Sequence, residues 1–78
     1  MMTETIIDYI LKELIGEDEP LQADDDLLNS GLVDSIGIMR LIGFIESKYD
    51  MKVPPQDMVI ENFISVEAIV QYIEQVKK

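Results

Sequence analysis

The sequence predicts an all-α domain, a small antiparallel four-helix bundle with a short third helix and a long first loop. Three observations predict it. Apolar residues recur at helical spacing in three separate stretches. No strand-like alternation survives comparison with those stripes. Glycine, proline and capping residues fall between the stripes where helices start and stop. The chain of 78 residues has room for one core, so residues 1–78 are read as a single domain.

The first helix is expected from about Thr3 to Ile15, on the stripe Ile6, Ile7, Ile10, Leu11, Leu14 and Ile15. Gly16 is its expected stop, and Glu17-Asp18-Glu19-Pro20 breaks the pattern. A long connection runs from Gly16 to about Val33, and connections of that length are usually functional or disordered. Leu21, Leu27, Leu28 and Leu32 punctuate it, which predicts that it lies on the core.

The second helix is expected from about Ser35 to Tyr49. Ile38, Leu41, Ile42, Ile45 and Tyr49 should face inward, with Ile36, Arg40, Gly43 and Ser47 on the opposite stripe. Gly37 and Gly43 each cost this helix roughly 1 kcal/mol against alanine, so a packing or docking reason is expected for them. Val53-Pro54-Pro55 ends any helix before it, and Pro55 opens a short third helix through Met58 or Val59. Ser65 caps the last helix, whose buried stripe is Val66, Ile69, Val70, Ile73 and Val76. Lys77 and Lys78 at its end suit the helix dipole. Tyr9, Tyr49, Phe63 and Tyr72 read as packing aromatics.

Composition then removes function classes. Sixteen acids against six bases give a net charge of −10, which speaks against nucleic acid and anionic membranes as partners and favours basic surfaces on other proteins. The chain has no Cys and no His, so it lacks a thiol nucleophile, a thiolate zinc site, the usual general base and the commonest metal ligand. A self-sufficient hydrolase or metalloenzyme is not expected, and neither is a metal site. Asp24-Asp25-Asp26 fails the calcium-loop pattern, because Leu28 falls on a ligand position when the loop is counted from Gly31. It reads as a solvated acidic turn. The start Met1-Met2-Thr3-Glu4 is not that of a signal peptide, and the apolar runs are too short for a membrane span. A cytoplasmic protein, monomeric by default, is expected.

The chemistry concentrates in Gly31-Leu32-Val33-Asp34-Ser35-Ile36. Gly31 can take positive φ and turn the chain. Asp34 is a strong N-cap. Ser35 then occupies the first helical position with its hydroxyl at the positive end of the dipole, where a phosphate ester would be favoured.

With Asp26-Leu27-Leu28-Asn29-Ser30-Gly31-Leu32-Val33 upstream and Val53-Pro54 downstream, Asp34-Ser35-Ile36 resembles the attachment site of the acyl carrier protein family. The resemblance spans nearly the whole chain. It implies that Ser35 carries 4′-phosphopantetheine through a phosphodiester. It implies that Asp34 helps a phosphopantetheinyl transferase hold the magnesium–coenzyme A complex during loading. An acyl or aminoacyl group would ride on the arm as a thioester and be presented to partner enzymes, with no catalysis by the chain itself.

Fatty-acid-synthesis members usually bear acids just after the serine and along the exposed face of the second helix. Here Gly37, Arg40, Ser47 and Lys48 stand there, and residues 35–49 hold one acid (Glu46) against two bases. Asp34-Ser35-Ile36-Gly37 is more similar to stand-alone carriers served by an adenylating ligase, including D-alanyl and other aminoacyl carriers. The implied partners are the phosphopantetheinyl transferase and an acyl- or aminoacyl-adenylating ligase, a synthase or another transferase. Ile36 and Arg40, beside the serine, are the expected partner contacts; Met39 and Phe44 are expected in the core or lining a cargo cavity. The rival readings are an acidic helical adaptor or inhibitor with no prosthetic group, and a small enzyme with a Ser–Lys pair. The latter has no Lys between Ser35 and Lys48 to serve as base.

Overall fold

The computed structural model describes residues 2–16 and 21–77. Among them are four α-helical segments: α1 (Met2–Tyr9), α2 (Ser35–Lys48), α3 (Ile60–Phe63) and α4 (Val66–Val76), and no strand. Met1, Glu17, Asp18, Glu19, Pro20 and Lys78 lie outside the described residues, and with them the acidic break after the first helix.

The first helix ends at Gly16, as its stripe predicts, but its second half widens. Ile10–Ile15 is a π-helical continuation of α1, and Gly16 closes it at φ 75° with its amide donating to the Leu11 carbonyl at 2.8 Å. Ile6 and Ile10 are fully buried; Ile7, Leu11, Leu14 and Ile15 are half-buried.

The connection into α2 lies on the bundle, as its leucines suggest. Leu27 is fully buried, its amide donates to Ile64 at 2.7 Å, and its carbonyl accepts from Val33 at 2.9 Å. Farther back, the Glu67 amide donates to the Ala23 carbonyl at 2.8 Å. The loop is thus stitched to the α3–α4 corner. Leu32 departs from expectation: it is exposed, because the turn at Gly31 (φ 81°) points it outward while Val33 goes in.

In α2, Leu41, Ile42 and Ile45 are buried and Ile38 and Tyr49 half-buried. The opposite stripe of Ile36, Arg40, Gly43 and Ser47 is exposed. Asp50 takes a left-handed φ of 51°, a conformation an aspartate tolerates, and the Glu46 carboxylate accepts the Val53 amide at 2.9 Å.

The third helix is displaced from its expected position. Pro55 opens a 3₁₀ turn, Pro55–Asp57, which stops because Met58 leaves helical geometry (ψ 62°). The α-helical turn comes later, as α3. It folds against α4, and α1 packs on α4. Ser65 caps α4, its hydroxyl accepting from the Ala68 amide at 3.1 Å. Val66, Ile69 and Ile73 are buried, whereas Val76 is exposed because the last turn runs past the core. Tyr72 takes the remaining inward place on α4, with Phe63 against it (ring centroids 5.7 Å apart).

Candidate functional site

The Asp26 carboxylate organises the turn just before α2. Asp26 Oδ1 accepts the amides of Leu28 (3.1 Å) and Asn29 (2.8 Å), its Oδ2 accepts from the Asn29 side chain at 3.0 Å, and its carbonyl accepts the Ser30 hydroxyl. The Asn29 amide is the main reason the Asp26 carboxyl sits below its usual range. Asp25 accepts the Gln22 amide at 2.9 Å in the same way. The acidic run therefore shapes the loop backbone as well as facing solvent.

Gly31 then reverses the chain at φ 81° and delivers Val33, Asp34 and Ser35 to the head of α2. Asp34 is extended and its Oδ1 accepts the Gly37 amide at 2.7 Å, the expected N-cap. Ser35 is the first residue of α2 and is exposed. Its hydroxyl stands at the helix end where backbone amides and the dipole both favour an anion.

Beside Ser35 an apolar groove of about 660 Å³ opens between α2 and the Met58–Phe63 segment. Ile38, Met39 and Ile42 form its α2 wall, and Met58, Val59, Ile60 and Phe63 form the opposite wall. Ile36 (72% exposed), Met39 (62%) and Ile60 (58%) leave an apolar rim around the serine. Met39 therefore belongs to the groove and not to the core. Phe44 is half-buried and stacks on Tyr9 with ring centroids 4.1 Å apart.

Of the expected partner residues, Ile36 is the most exposed large apolar side chain beside the serine. Arg40 is exposed too, but it is tied down. Its Nη1 donates to the Glu13 carbonyl at 3.3 Å, one of the terminal carbonyls the first helix leaves unpaired, and its own carbonyl accepts the Tyr9 hydroxyl at 3.3 Å. The groove wall at Met58, Val59 and Ile60 is not among the site residues that the sequence predicts. Three adjacent apolar residues with no helical stripe are its signal in the sequence.

The family whose description is "Phosphopantetheine attachment site" matches residues 5–73. D-alanyl carrier proteins are similar over most of the chain. That of Streptococcus equi subsp. zooepidemicus is 36% identical over 74 residues, covering 95% of this chain and 92% of its own. That of Streptococcus pyogenes serotype M1 is 34% identical over the same length and shares. Among solved structures, a chain in the crystal structure of an FAD-dependent dehydrogenase superposes with a TM-score of 0.80 at 26% identity, covering 87% of this chain and 97% of that one. A chain in the structure of Bradyrhizobium japonicum glycine:[carrier protein] ligase complexed with glycylated carrier protein gives a TM-score of 0.70 at 19% identity, covering 88% and 89%. That second likeness establishes the shared fold.

Proposed function

The chain belongs to the phosphopantetheine-attachment family of carrier proteins, and from that premise we propose that Ser35 is its attachment residue and an aminoacyl group its cargo. The protein is a carrier and not itself an enzyme; its cofactor is 4′-phosphopantetheine. When bound, the group supplies the thiol that this chain lacks and holds the cargo as a thioester.

The observation that carries the attachment reading is the exposed Ser35 at the first position of α2, immediately after a capping carboxylate. The residues fit the group. A primary hydroxyl faces solvent, the helix end favours the diester phosphate, and an apolar groove runs away from it. In loading, the Ser35 oxygen bonds to the phosphorus bearing the pantetheine half of coenzyme A, and the bond from that phosphorus to adenosine bisphosphate breaks. The serine proton passes to a base of the phosphopantetheinyl transferase. Asp34, the residue before the serine, supplies an exposed carboxylate to the transferase's magnesium–coenzyme A complex.

The aminoacyl reading is supported by the relatives named D-alanyl carrier proteins and by the exposed face of α2. That face lacks acids next to the serine and presents Ile36 and Arg40. The partner in this reading is an adenylating ligase that spends ATP to charge the thiol, and the need for coenzyme A and ATP supports a cytoplasmic setting. No helix among the described residues is long and apolar enough to cross a membrane.

Intact mass tests both parts. Incubation with coenzyme A, magnesium and a broad-specificity transferase adds one phosphopantetheinyl group to the wild type and none to Ser35→Ala. A mass gain in Ser35→Ala would reject the attachment residue. The loaded protein then gains one alanyl mass with ATP, D-alanine and a D-alanine-activating ligase. Charging by a fatty acyl ligase alone would reject the aminoacyl cargo.

A further inference from the structure

We propose that Gly37 is a positioning residue for loading: its missing side chain is what lets the Asp34 carboxylate be held beside Ser35. This rests on the reading of Ser35 as the attachment site. Gly37 is buried in the first turn of α2 in ordinary helical conformation, so no backbone requirement explains a glycine there. Glycine weakens a helix relative to alanine, so its presence needs another reason. The reason is space. A Cβ at residue 37 would lie 2.9 Å from Val33 Cγ1 and 3.2 Å from Asp34 Oδ1, with Leu14 Cδ1 at 3.9 Å. Gly43, in the same helix, would meet nothing within 4 Å, so the crowding belongs to the loading end alone.

Val33 cannot give way cheaply. It is β-branched and stiff, only 3% exposed, and its amide is bonded to the Leu27 carbonyl at 2.9 Å. Asp34 is the exposed neighbour and is the one that moves. Its Oδ1 is fixed by the Gly37 amide at 2.7 Å, so a methyl group at 37 presses on the very oxygen the cap orients. The displaced carboxylate sits next to the serine that must meet the transferase.

The test is the loading rate, followed by intact mass with coenzyme A, magnesium and a broad-specificity transferase, with circular dichroism to establish folding. In Gly37→Ala, kcat/KM for loading falls about tenfold or more, as small misplacements at a reacting centre do. Adding Val33→Ala opens the Cγ1 side, so that the methyl can settle away from Asp34 Oδ1, and returns the rate to about that of Val33→Ala alone. In an Asp34→Ala background, Gly37→Ala changes the rate by less than about twofold, because the two residues act through one carboxylate. Wild-type rates in folded Gly37→Ala, with Ser35→Ala inert, overturn this inference and leave the attachment reading standing. Loading that persists in Ser35→Ala overturns both. Where Gly37→Ala alone does not fold, the Val33→Ala/Gly37→Ala pair decides: loading at the Val33→Ala rate supports the proposal, and slow loading of the folded pair overturns it.

Discussion

Tyr72 donates a 2.8 Å hydrogen bond to Asp57 Oδ2, and this bond ties the buried face of α4 to the 3₁₀ turn that precedes the groove wall. Asn62 reinforces the tie by donating from its side chain to the Asp57 carbonyl at 2.8 Å. Burial first, and then the bond to Asp57 with the nearby Asp57 and Glu46 charges, push the Tyr72 hydroxyl up to about 12. A raised pKa means that the neutral phenol stabilises the fold. Its contribution is complete below the ordinary tyrosine value of 10.0 and is lost as pH rises toward about 12. Urea unfolding at a series of alkaline pH values should show that decline. Tyr72→Phe should cost about 1–2 kcal/mol at neutral pH, by leaving a half-buried carboxylate unpaired, and should flatten the alkaline decline. Tyr49, also raised by burial, keeps the remainder.

Asp34→Ala should lower stability by about 1 kcal/mol, because the Gly37 amide loses its acceptor. For a domain of this size that is a fall of about 4–8 °C in melting temperature. Ser65→Ala should cost a similar amount at α4, where the Ala68 amide loses its partner. Calorimetric melts of the two variants check both caps. Only Asp34→Ala should also slow loading, which separates capping from the function proposed for that carboxylate.

Asp26 should titrate below the ordinary aspartate range, because the Asn29 amide, with help from Leu28, holds the charged form. A depressed pKa stabilises the fold above the ordinary value, and that contribution is lost as pH falls through the folded value. Carboxyl carbon chemical shifts followed by NMR give the midpoint directly. Asp26→Asn should loosen residues 27–31, seen as faster amide exchange at Leu28 and Asn29.

The caps, stops and stripes of the long helices were legible because each is a local pattern. Asp34 and Ser65 accept at the third amide onward, Gly16 and Gly31 take positive φ, and Leu41, Ile45, Ile69 and Ile73 fill the core. The segment between Val53 and Ser65 was not legible in the same way. Pro55 announces a helical start truthfully, but a turn of three residues and a helix of four cannot build a stripe. Their place is set by Tyr72 of α4, which bonds Asp57 and packs on Phe63 from a distance in sequence that no periodicity measures. The π-helical widening of the first helix and the exposure of Leu32 and Val76 are equally tertiary outcomes. The serine is marked by its neighbours in sequence, whereas the groove beside it exists only once α2 and the Met58–Phe63 segment pack together.

Ile36→Asp and Arg40→Glu should separate recognition from architecture on the face beside Ser35. Ile36 is 72% exposed, so its replacement should change stability by no more than about 0.5 kcal/mol. If an apolar contact there seats the ligase, charging of the loaded carrier should fall severalfold with the melting temperature unchanged. Arg40 carries two roles at once. Its guanidinium bonds the Glu13 carbonyl, so Arg40→Glu should lower the melting temperature by removing a donor and setting a carboxylate against a carbonyl. Charge reversal should also weaken charging by the ligase more than loading by the transferase, since complementary charge sets partner choice and on-rate. Arg40→Gln, which keeps a donor and removes the charge, divides the two roles. Retained stability with slower charging would place Arg40 on the recognition face, whereas a full charging rate would leave it only the task of closing the first helix.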